Sequence, residues 1–254
     1  MLRTLVRMRT DERTWAPPLP RRTLAEELLI VLSLTVLASA ISSILTLFEA
    51  PISGVRVVSV SQSPSVLRQL LGIAFGLAPV WLVAYLVRRS DGGTSSIGLR
   101  WDRPRVDVAR GFALFVVIGI GGILVYLAAV ALDVNRFVIP VPPLGHWWTV
   151  PVLIARAIEA GLLEEIVVVA YLVTRLRQVG VSEPAAIGAS ALLRASYHLY
   201  QGWGGFLGNL AMGLIFAFVF SRTRRAWPVV IAHVLLDVAA GIGFIAFREH
   251  LPGF

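Results

Sequence analysis

The chain of 254 residues is 57% hydrophobic and 15% charged, which excludes an ordinary soluble domain. Its apolar residues form long runs without alternation, which excludes a transmembrane β-barrel and predicts a polytopic helical membrane protein. The net charge of +8 rests on 23 arginines and no lysine; these cluster between the apolar runs, which is typical of cytoplasmic loops and excludes nucleic acid as the expected partner. Because there is no cysteine, disulfides, a thiol nucleophile and a cysteine-ligated metal are excluded.

The N-terminal half predicts a cytoplasmic tail followed by three transmembrane helices. Residues 1–23 are rich in arginine around Trp15 and form the predicted tail. The three spans are expected within 24–132, at 24–48, 66–87 and 106–132. Ala38-Ser39-Ala40 is similar to a signal-peptide cleavage site, but the apolar run continues past it. We therefore expect the first span to be an uncleaved anchor.

The C-terminal half predicts four further spans, which together form a helical core at 150–247. Their expected ranges are 150–176, 183–200, 202–222 and 227–247. Most arginines then fall on one side of the membrane, and by the positive-inside rule that side is the cytoplasm. The fold class is therefore all-α: a bundle of about seven spans in the cell membrane, with the N-terminus cytoplasmic.

Two adjacent carboxylates, Glu164 and Glu165, interrupt the apolar run of the fourth predicted span. A charged group at the centre of a bilayer costs roughly 2.5–3.5 kcal/mol even on insertion scales. Neighbouring helical residues point about 100° apart, so one carboxylate can face a site while the other faces a supporting partner. The pair therefore indicates a functional site, with a structural ion pair as the alternative.

Polar side chains of three other spans fall at a similar depth. From a rise of ~1.5 Å per residue, they lie roughly 12–22 Å from the inner edge of the membrane. They are His198, Asn209, His233 and Asp237. His233 and Asp237 are four residues apart and share a helix face, as do Arg194 and His198. We expect these side chains to converge near the bilayer centre, although Asn209 could instead only join helices.

Carboxylates close to imidazoles are the groups needed to activate water. A glutamate beside a histidine can act as a general base, and a second histidine can stabilise a developing oxyanion. No serine, threonine or cysteine stands beside a base as an obvious nucleophile. The residues alone therefore indicate hydrolysis by activated water.

The order of these motifs resembles the CPBP family, which includes CAAX prenyl endopeptidases and the Abi proteins linked to bacteriocin processing or immunity. The family pattern is Glu-Glu-x-x-x-Arg, then Phe-x-x-x-His, then His-x-x-x-Asn or Asp. In this chain the corresponding segments are Glu164–Val169, Arg194–His198 and His233–Asp237. The resemblance covers roughly residues 150–245.

The resemblance implies an intramembrane endopeptidase acting on a membrane-associated peptide or protein. It implies that Glu164 and His198 activate the water and that His233 and Asp237 stabilise the oxyanion. The glutamate mechanism needs no cofactor and no metal. The alternative is a Zn²⁺ site formed by His198, His233 and a carboxylate.

Two positions depart from the family pattern. Val169 stands where the family has arginine, and Arg194 stands where it has phenylalanine. We hypothesise that the guanidinium has moved to the neighbouring helix and pairs with Glu165 from there. In the third motif, an ionised Asp237 cannot donate to an oxyanion, but it can orient His233 by accepting its N–H.

These departures leave two other functions open. One is a catalytically inactive CPBP-type scaffold or immunity protein that keeps the polar groups for stability. The other is a proton-coupled transporter, because Glu and His chains at mid-membrane also serve as proton relays. The transporter is disfavoured because the polar residues are confined to the second half of the chain, without a visible internal repeat.

Overall fold

The computed structural model describes residues 18–49 and 56–250. Most of the predicted basic tail (1–17) lies outside the described residues. The α-helices, in chain order, are α1 (Arg21–Leu34), α2 (Leu37–Glu49), α3 (Val66–Gly76), α4 (Ala78–Ser90), α5 (Pro104–Ala131), α6 (Thr149–Leu163), α7 (Leu172–Val179), α8 (Glu183–Tyr197), α9 (Trp203–Thr223) and α10 (Trp227–Phe247). A π-helical segment, Glu164–Tyr171, joins α6 to α7. Short 3-10 helices cover Thr94–Ile97, Leu199–Gln201 and Arg248–His250.

The helix boundaries follow the predicted spans closely, but the first predicted span is bent. Its two halves, α1 and α2, meet at an angle of 51°. At the break, the hydroxyl of Thr35 donates to the carbonyl of Val31, 2.7 Å away. This bond to the preceding turn competes with the backbone ladder and is a recognised cause of helix bending.

The described residues contain four helical stretches that are long and apolar enough to cross a membrane. They are Val66–Ser90, Pro104–Ala131, Trp203–Thr223 and Trp227–Phe247, and the bent pair α1–α2 makes up to five. The remaining predicted spans are unusual. One contains the π-helical segment and the two glutamates, and the other, α8, has only 15 residues, fewer than the ~20 of an ordinary span. The bundle is helical as predicted, while the number seven stays a prediction.

Two of the segments that connect predicted spans contain short strands. β1 (Arg56–Val58) pairs in parallel with β2 (Phe137–Ile139), with Val57 opposite Val138. An isolated antiparallel bridge joins Asn135 to Gly202 at the start of α9. This sheet was not predicted, because strands of three residues are too short to show an alternation of apolar and polar side chains.

The π-helical segment lies at the centre of the bundle. Its seven residues from Glu165 to Tyr171 are all buried, and those from Ile166 to Tyr171 belong to the largest apolar cluster of the described residues. Helices α4, α8, α9 and α10 pack around the segment, while α1 packs on α7 and α2 packs on α8. The segment carrying the glutamates is therefore enclosed by protein.

Candidate active site

The helix widens where the two glutamates stand. Val167, Val168 and Val169 follow them, and such β-branched residues are crowded against the preceding turn of an α-helix. The hydroxyl of Ser190 on α8 donates to the carbonyl of Val168, 2.6 Å away, which satisfies an acceptor of the wider turn. Single π turns inside α-helices are rare and are frequent at functional sites.

Glu165 forms a buried ion pair with Arg194, as predicted. Arg194 Nη1 lies 2.5 Å from Glu165 Oε1, and the two side chains are 1% and 0% exposed. The second guanidinium nitrogen, Nη2, lies 3.3 Å from Glu164 Oε2. The ring of Phe216 lies 5.7 Å from the guanidinium carbon. An arginine on α8 thus pairs closely with Glu165 and also lies within ion-pair distance of Glu164.

His233 connects this ion pair to Asp237. Its Nδ1 lies 2.7 Å from Glu165 Oε1, and because an ionised carboxylate can only accept, Nδ1 carries the proton and donates. Its Nε2 lies 3.5 Å from Asp237 Oδ2. Asp237 therefore faces His233, as the sequence analysis expected, and its side chain is 42% exposed. We name Glu164, Glu165, Arg194, His233 and Asp237 the polar cluster.

Glu164 differs from Glu165 in its partner and its access. Its Oε2 accepts a hydrogen bond of 2.8 Å from the hydroxyl of Tyr197, and its side chain is 14% exposed whereas that of Glu165 is fully buried. Tyr197 was missed by the sequence analysis, because it occupies a position that the family pattern leaves open. The one available signal was its place next to His198.

His198 lies at the C-terminus of α8, beside Tyr197. Its Nδ1 lies 3.1 Å from the carbonyl oxygen of Arg194. A carbonyl can only accept, so Nδ1 donates and Nε2 is the acceptor of a neutral ring. The ring centroids of Tyr197 and His198 are 4.8 Å apart. Among the described residues no hydrogen bond joins Glu164 to His198 directly, and Tyr197 connects the two.

The turn after His198 is held by a buried arginine. Arg136 donates from Nη1 to the carbonyl of Tyr200 at 2.9 Å and from Nη2 to that of Thr46 at 3.0 Å. Its backbone N–H also donates to the carbonyl of Gln201, 2.7 Å away. Arg136 was not predicted to support the site, because its partners are distant in the chain.

Asn209 makes a local contact. Its amide nitrogen donates to the carbonyl of Gly205, one turn earlier in α9, at 2.9 Å. Within the described residues no hydrogen bond or ion pair joins Asn209 to the polar cluster. No contact described here supports the predicted role of Asn209 in the site, so that role stays a prediction.

The donor set of this site does not fit the alternative Zn²⁺ centre. Nδ1 of His233 and Nδ1 of His198 are engaged with Glu165 and with the Arg194 carbonyl, so only Nε2 of each ring could bind a metal ion. A guanidinium lies between the two carboxylates, where it would repel a cation. Across residues 18–49 and 56–250, no group of three histidine or acidic side chains is arranged to hold a metal ion.

Residues 146–239 match the family described as Type II CAAX prenyl endopeptidase Rce1-like. No curated protein and no solved structure matches the chain significantly. The matched segment begins just before α6 and ends within α10, so it contains all three motifs and the whole polar cluster. This segment is therefore similar to the Rce1-like family, and the similarity supports the CPBP-type protease that the order of the motifs predicted.

Proposed function

We propose that this protein is an intramembrane endopeptidase in which Glu164, with His198, activates a water molecule for peptide-bond hydrolysis. The similarity of residues 146–239 to the Rce1-like family points to a protease-type hydrolase, and the glutamate mechanism is our proposal within that class. The observation that carries it is the asymmetry of the glutamate pair. Glu165 is sealed in an ion pair, while Glu164 is partly accessible and oriented by Tyr197.

In the proposed reaction, Glu164 takes a proton from water as the hydroxide oxygen attacks the carbonyl carbon of the scissile bond. The carbonyl oxygen becomes an oxyanion, and the proton then passes to the leaving amine as the C–N bond breaks. Nε2 of His198 is available to accept a hydrogen bond from the attacking water. General acid–base catalysis of this kind contributes typically 10²–10⁴-fold to a rate.

His233 is the proposed oxyanion donor, supported from both sides of its ring. Glu165 holds Nδ1, and Asp237 lies at 3.5 Å from Nε2, longer than a good hydrogen bond. In this proposal His233 is an imidazolium, so that Nε2 also carries a proton and can donate it to the oxyanion without losing a strong contact. In this proposal Arg194 is a positioning residue, because it acts through the carboxylates that it holds.

Cleavage of membrane peptides by the purified protein tests the proposal. We expect Glu164→Gln to lower kcat/KM by about 10²–10³-fold, because it keeps the shape but removes the base. Glu159→Gln is the matched control: Glu159 lies on the same helix, is 13% exposed, and pairs with Arg156. We expect the control to keep activity within about threefold, since its charge lies outside the polar cluster.

Other outcomes would favour the other candidates. No cleavage by the wild-type protein over a broad panel of membrane peptides would favour a non-catalytic CPBP-type scaffold. Proton uptake coupled to a solute in proteoliposomes, lost in Glu164→Gln, would favour the transporter. Loss of cleavage on chelation, restored by Zn²⁺, would overturn the metal-free mechanism.

We also propose that the chain crosses the cell membrane seven times with its N-terminus in the cytoplasm. The absence of cysteine allows a direct test with single-cysteine variants at the exposed positions Ser61 and Arg103, which lie on opposite sides of the stretch Val66–Ser90. In intact cells, an impermeant thiol reagent should label Ser61→Cys and not Arg103→Cys. The reverse result would overturn the proposed orientation.

A further inference from the structure

The 3-10 turn Leu199–Gln201 places a second tyrosine, Tyr200, at the edge of the polar cluster. Its ring is stacked beside that of His198: the two centroids are 6.3 Å apart, and the ring planes differ by 26°. The negative charges of Glu164 and Asp237 both act on its hydroxyl, so the hydroxyl lies close to the groups of the proposed active site. The proposed reaction does not yet use this residue.

The hydroxyl of Tyr200 accepts one hydrogen bond and keeps its own proton for another. The side-chain amide nitrogen of Gln201 lies 3.0 Å from the hydroxyl oxygen, and because this nitrogen can only donate, the tyrosine oxygen is the acceptor. Within residues 18–49 and 56–250 no hydrogen bond runs from this hydroxyl to an acceptor. Its proton is therefore available for a group that enters the site.

The turn that carries Tyr200 is fixed by two neighbouring segments. On one side, Arg136 donates to the carbonyl of Tyr200 at 2.9 Å and, through its backbone N–H, to that of Gln201 at 2.7 Å. On the other side, a Cβ at Gly205 of α9 would lie 2.5 Å from that of Gln201, so only glycine lets the helix approach this side chain. The N–H of Gly205 in turn donates to Asn135 Oδ1, 2.9 Å away. Such support keeps the tyrosine in place before substrate binds.

The two tyrosines near His198 differ in what their hydroxyls do. The hydroxyl of Tyr197 donates its proton to Glu164 at 2.8 Å, so that proton is already used in the free protein. The hydroxyl of Tyr200 instead accepts from Gln201. Tyr197 therefore orients the proposed base, whereas Tyr200 is a donor without an acceptor beside the same base.

We infer that Tyr200 is a further catalytic residue, whose hydroxyl donates a hydrogen bond to the carbonyl oxygen of the scissile bond as that oxygen becomes an oxyanion. The inference rests on the proposed function, in which His233 is the other donor. Preorganised donors stabilise such a charge strongly, and loss of one donor costs about 10²–10³-fold in kcat. The proton stays on the tyrosine throughout, so no covalent bond forms or breaks at this residue. Gln201 is a positioning residue, because it acts through the Tyr200 hydroxyl.

Kinetics and the binding of an analogue of the tetrahedral intermediate test the inference on the full chain. For Tyr200→Phe, which keeps the ring beside His198, we expect kcat to fall about 10²-fold with KM little changed, because the donor acts on the oxyanion and not on the bound substrate. A phosphonate analogue of the membrane peptide that the wild-type protein cleaves has a tetrahedral anionic centre. It should bind about 10²-fold more weakly to this variant.

A matched control and a second variant separate catalysis from a structural role. Tyr126→Phe on α5 is the control and should change neither kcat nor binding of the phosphonate, since this hydroxyl contacts the backbone of Val138 instead. Gln201→Met removes the amide that orients the Tyr200 hydroxyl and should lower kcat about 3–10-fold. In the Tyr200→Phe background the same change should have no further effect, because the amide acts only through the hydroxyl.

The possible failures are distinguishable. Cleavage that requires Glu164 but keeps its wild-type kcat in Tyr200→Phe would overturn this inference and leave the proposed function standing. A rise in KM alone would also overturn it, because Tyr200 would then bind the substrate and not the oxyanion. A loss of kcat in Gln201→Met that persists in the Tyr200→Phe background would show that the turn acts only as structure. No cleavage by the wild-type protein would overturn the proposed function and this inference together.

Discussion

The two halves of the bundle use apolar residues for different purposes. In α5 only 6% of the most apolar window is buried within the protein, against 33% for each of the windows in α9 and α10. Side chains such as Phe112, Ile123 and Leu124 point outwards from α5, while the π-helical segment is enclosed. The first half therefore meets lipid with its apolar residues, whereas the second half packs them around a polar cluster.

This difference shows why hydropathy alone describes α5 well and the site poorly. A helix surrounded by lipid needs only to be long and apolar. A helix that carries carboxylates inside the membrane needs partners at fixed positions on other helices. The predictions that follow compare the two regions, beginning with the largest expected effect.

Removing the guanidinium from the polar cluster should be the most damaging change. Arg194→Met leaves Glu165 buried without its charge partner, for which we expect a loss of about 3–5 kcal/mol in the free energy of unfolding. The double variant Val169→Arg with Arg194→Phe rebuilds the family arrangement and should recover most of this loss. Unfolding in detergent measures both. A loss below about 1 kcal/mol for Arg194→Met would contradict the assigned pairing.

The same substitution should have unequal effects in the two regions. Ile166 in the π-helical segment is 2% exposed, and Ile123 on α5 is 62% exposed. Ile166→Ala leaves a cavity and should cost about 2–5 kcal/mol, whereas lipid can fill the space left by Ile123→Ala, which should stay within about 0.5 kcal/mol. Equal losses would mean that α5 also packs against protein.

Loss of one hydroxyl should impair the proposed catalysis more than folding. Tyr197→Phe removes the hydrogen bond to Glu164, and hydrogen bonds to charged groups contribute about 1.5–3 kcal/mol. We expect kcat for peptide cleavage to fall about tenfold or more, with KM little changed. Tyr126→Phe on α5 is the control and should keep kcat. A change in KM alone would show that Tyr197 binds substrate instead.

The smallest effect should come from the ion pair between Asp102, in the loop before α5, and Arg225, in the turn between α9 and α10. The hydrogen bond from Arg225 lowers the pKa of Asp102 below its ordinary value of 3.8. Because the pKa of Asp102 is lower in the folded state than in the unfolded state, this contact stabilises the protein fully at a pH above the unfolded-state pKa. The stabilisation is lost as the pH falls through the folded-state pKa. Asp102→Asn should therefore lower Tm slightly at about pH 7, by an amount that begins to shrink below about pH 4, disappears below the folded-state pKa, and is smaller in high salt. A difference in Tm that is independent of pH would exclude the ion pair as its cause.

Local signals in the sequence were enough to predict the helices and much of the site. Long apolar runs end at Arg, Pro or Gly, so the boundaries of α9 and α10 could be predicted closely. Four-residue spacing placed His233 and Asp237 on one face, and the two departures from the family pattern predicted the pairing of Arg194 with Glu165. The family match at residues 146–239 agrees with the order of the three motifs.

Such local signals could not predict the partners that make the polar groups different from one another. Tyr197, Arg136 and Ser190 make hydrogen bonds with residues 22 to 154 positions away in the chain. No local periodicity encodes contacts of that range. The strand pair and the bend at Thr35 were missed for related reasons, since each depends on a few residues in one particular setting.

The sequence by itself determined that this chain is a helical membrane protein with two costly carboxylates at mid-helix, because hydropathy and spacing are local properties. Only the tertiary structure decided which carboxylate is sealed and which is accessible. That choice depends on α8 approaching the π-helical segment closely enough for Arg194 to reach Glu165 and for Tyr197 to reach Glu164. Packing between distant segments sets these distances, and it made two adjacent glutamates unequal.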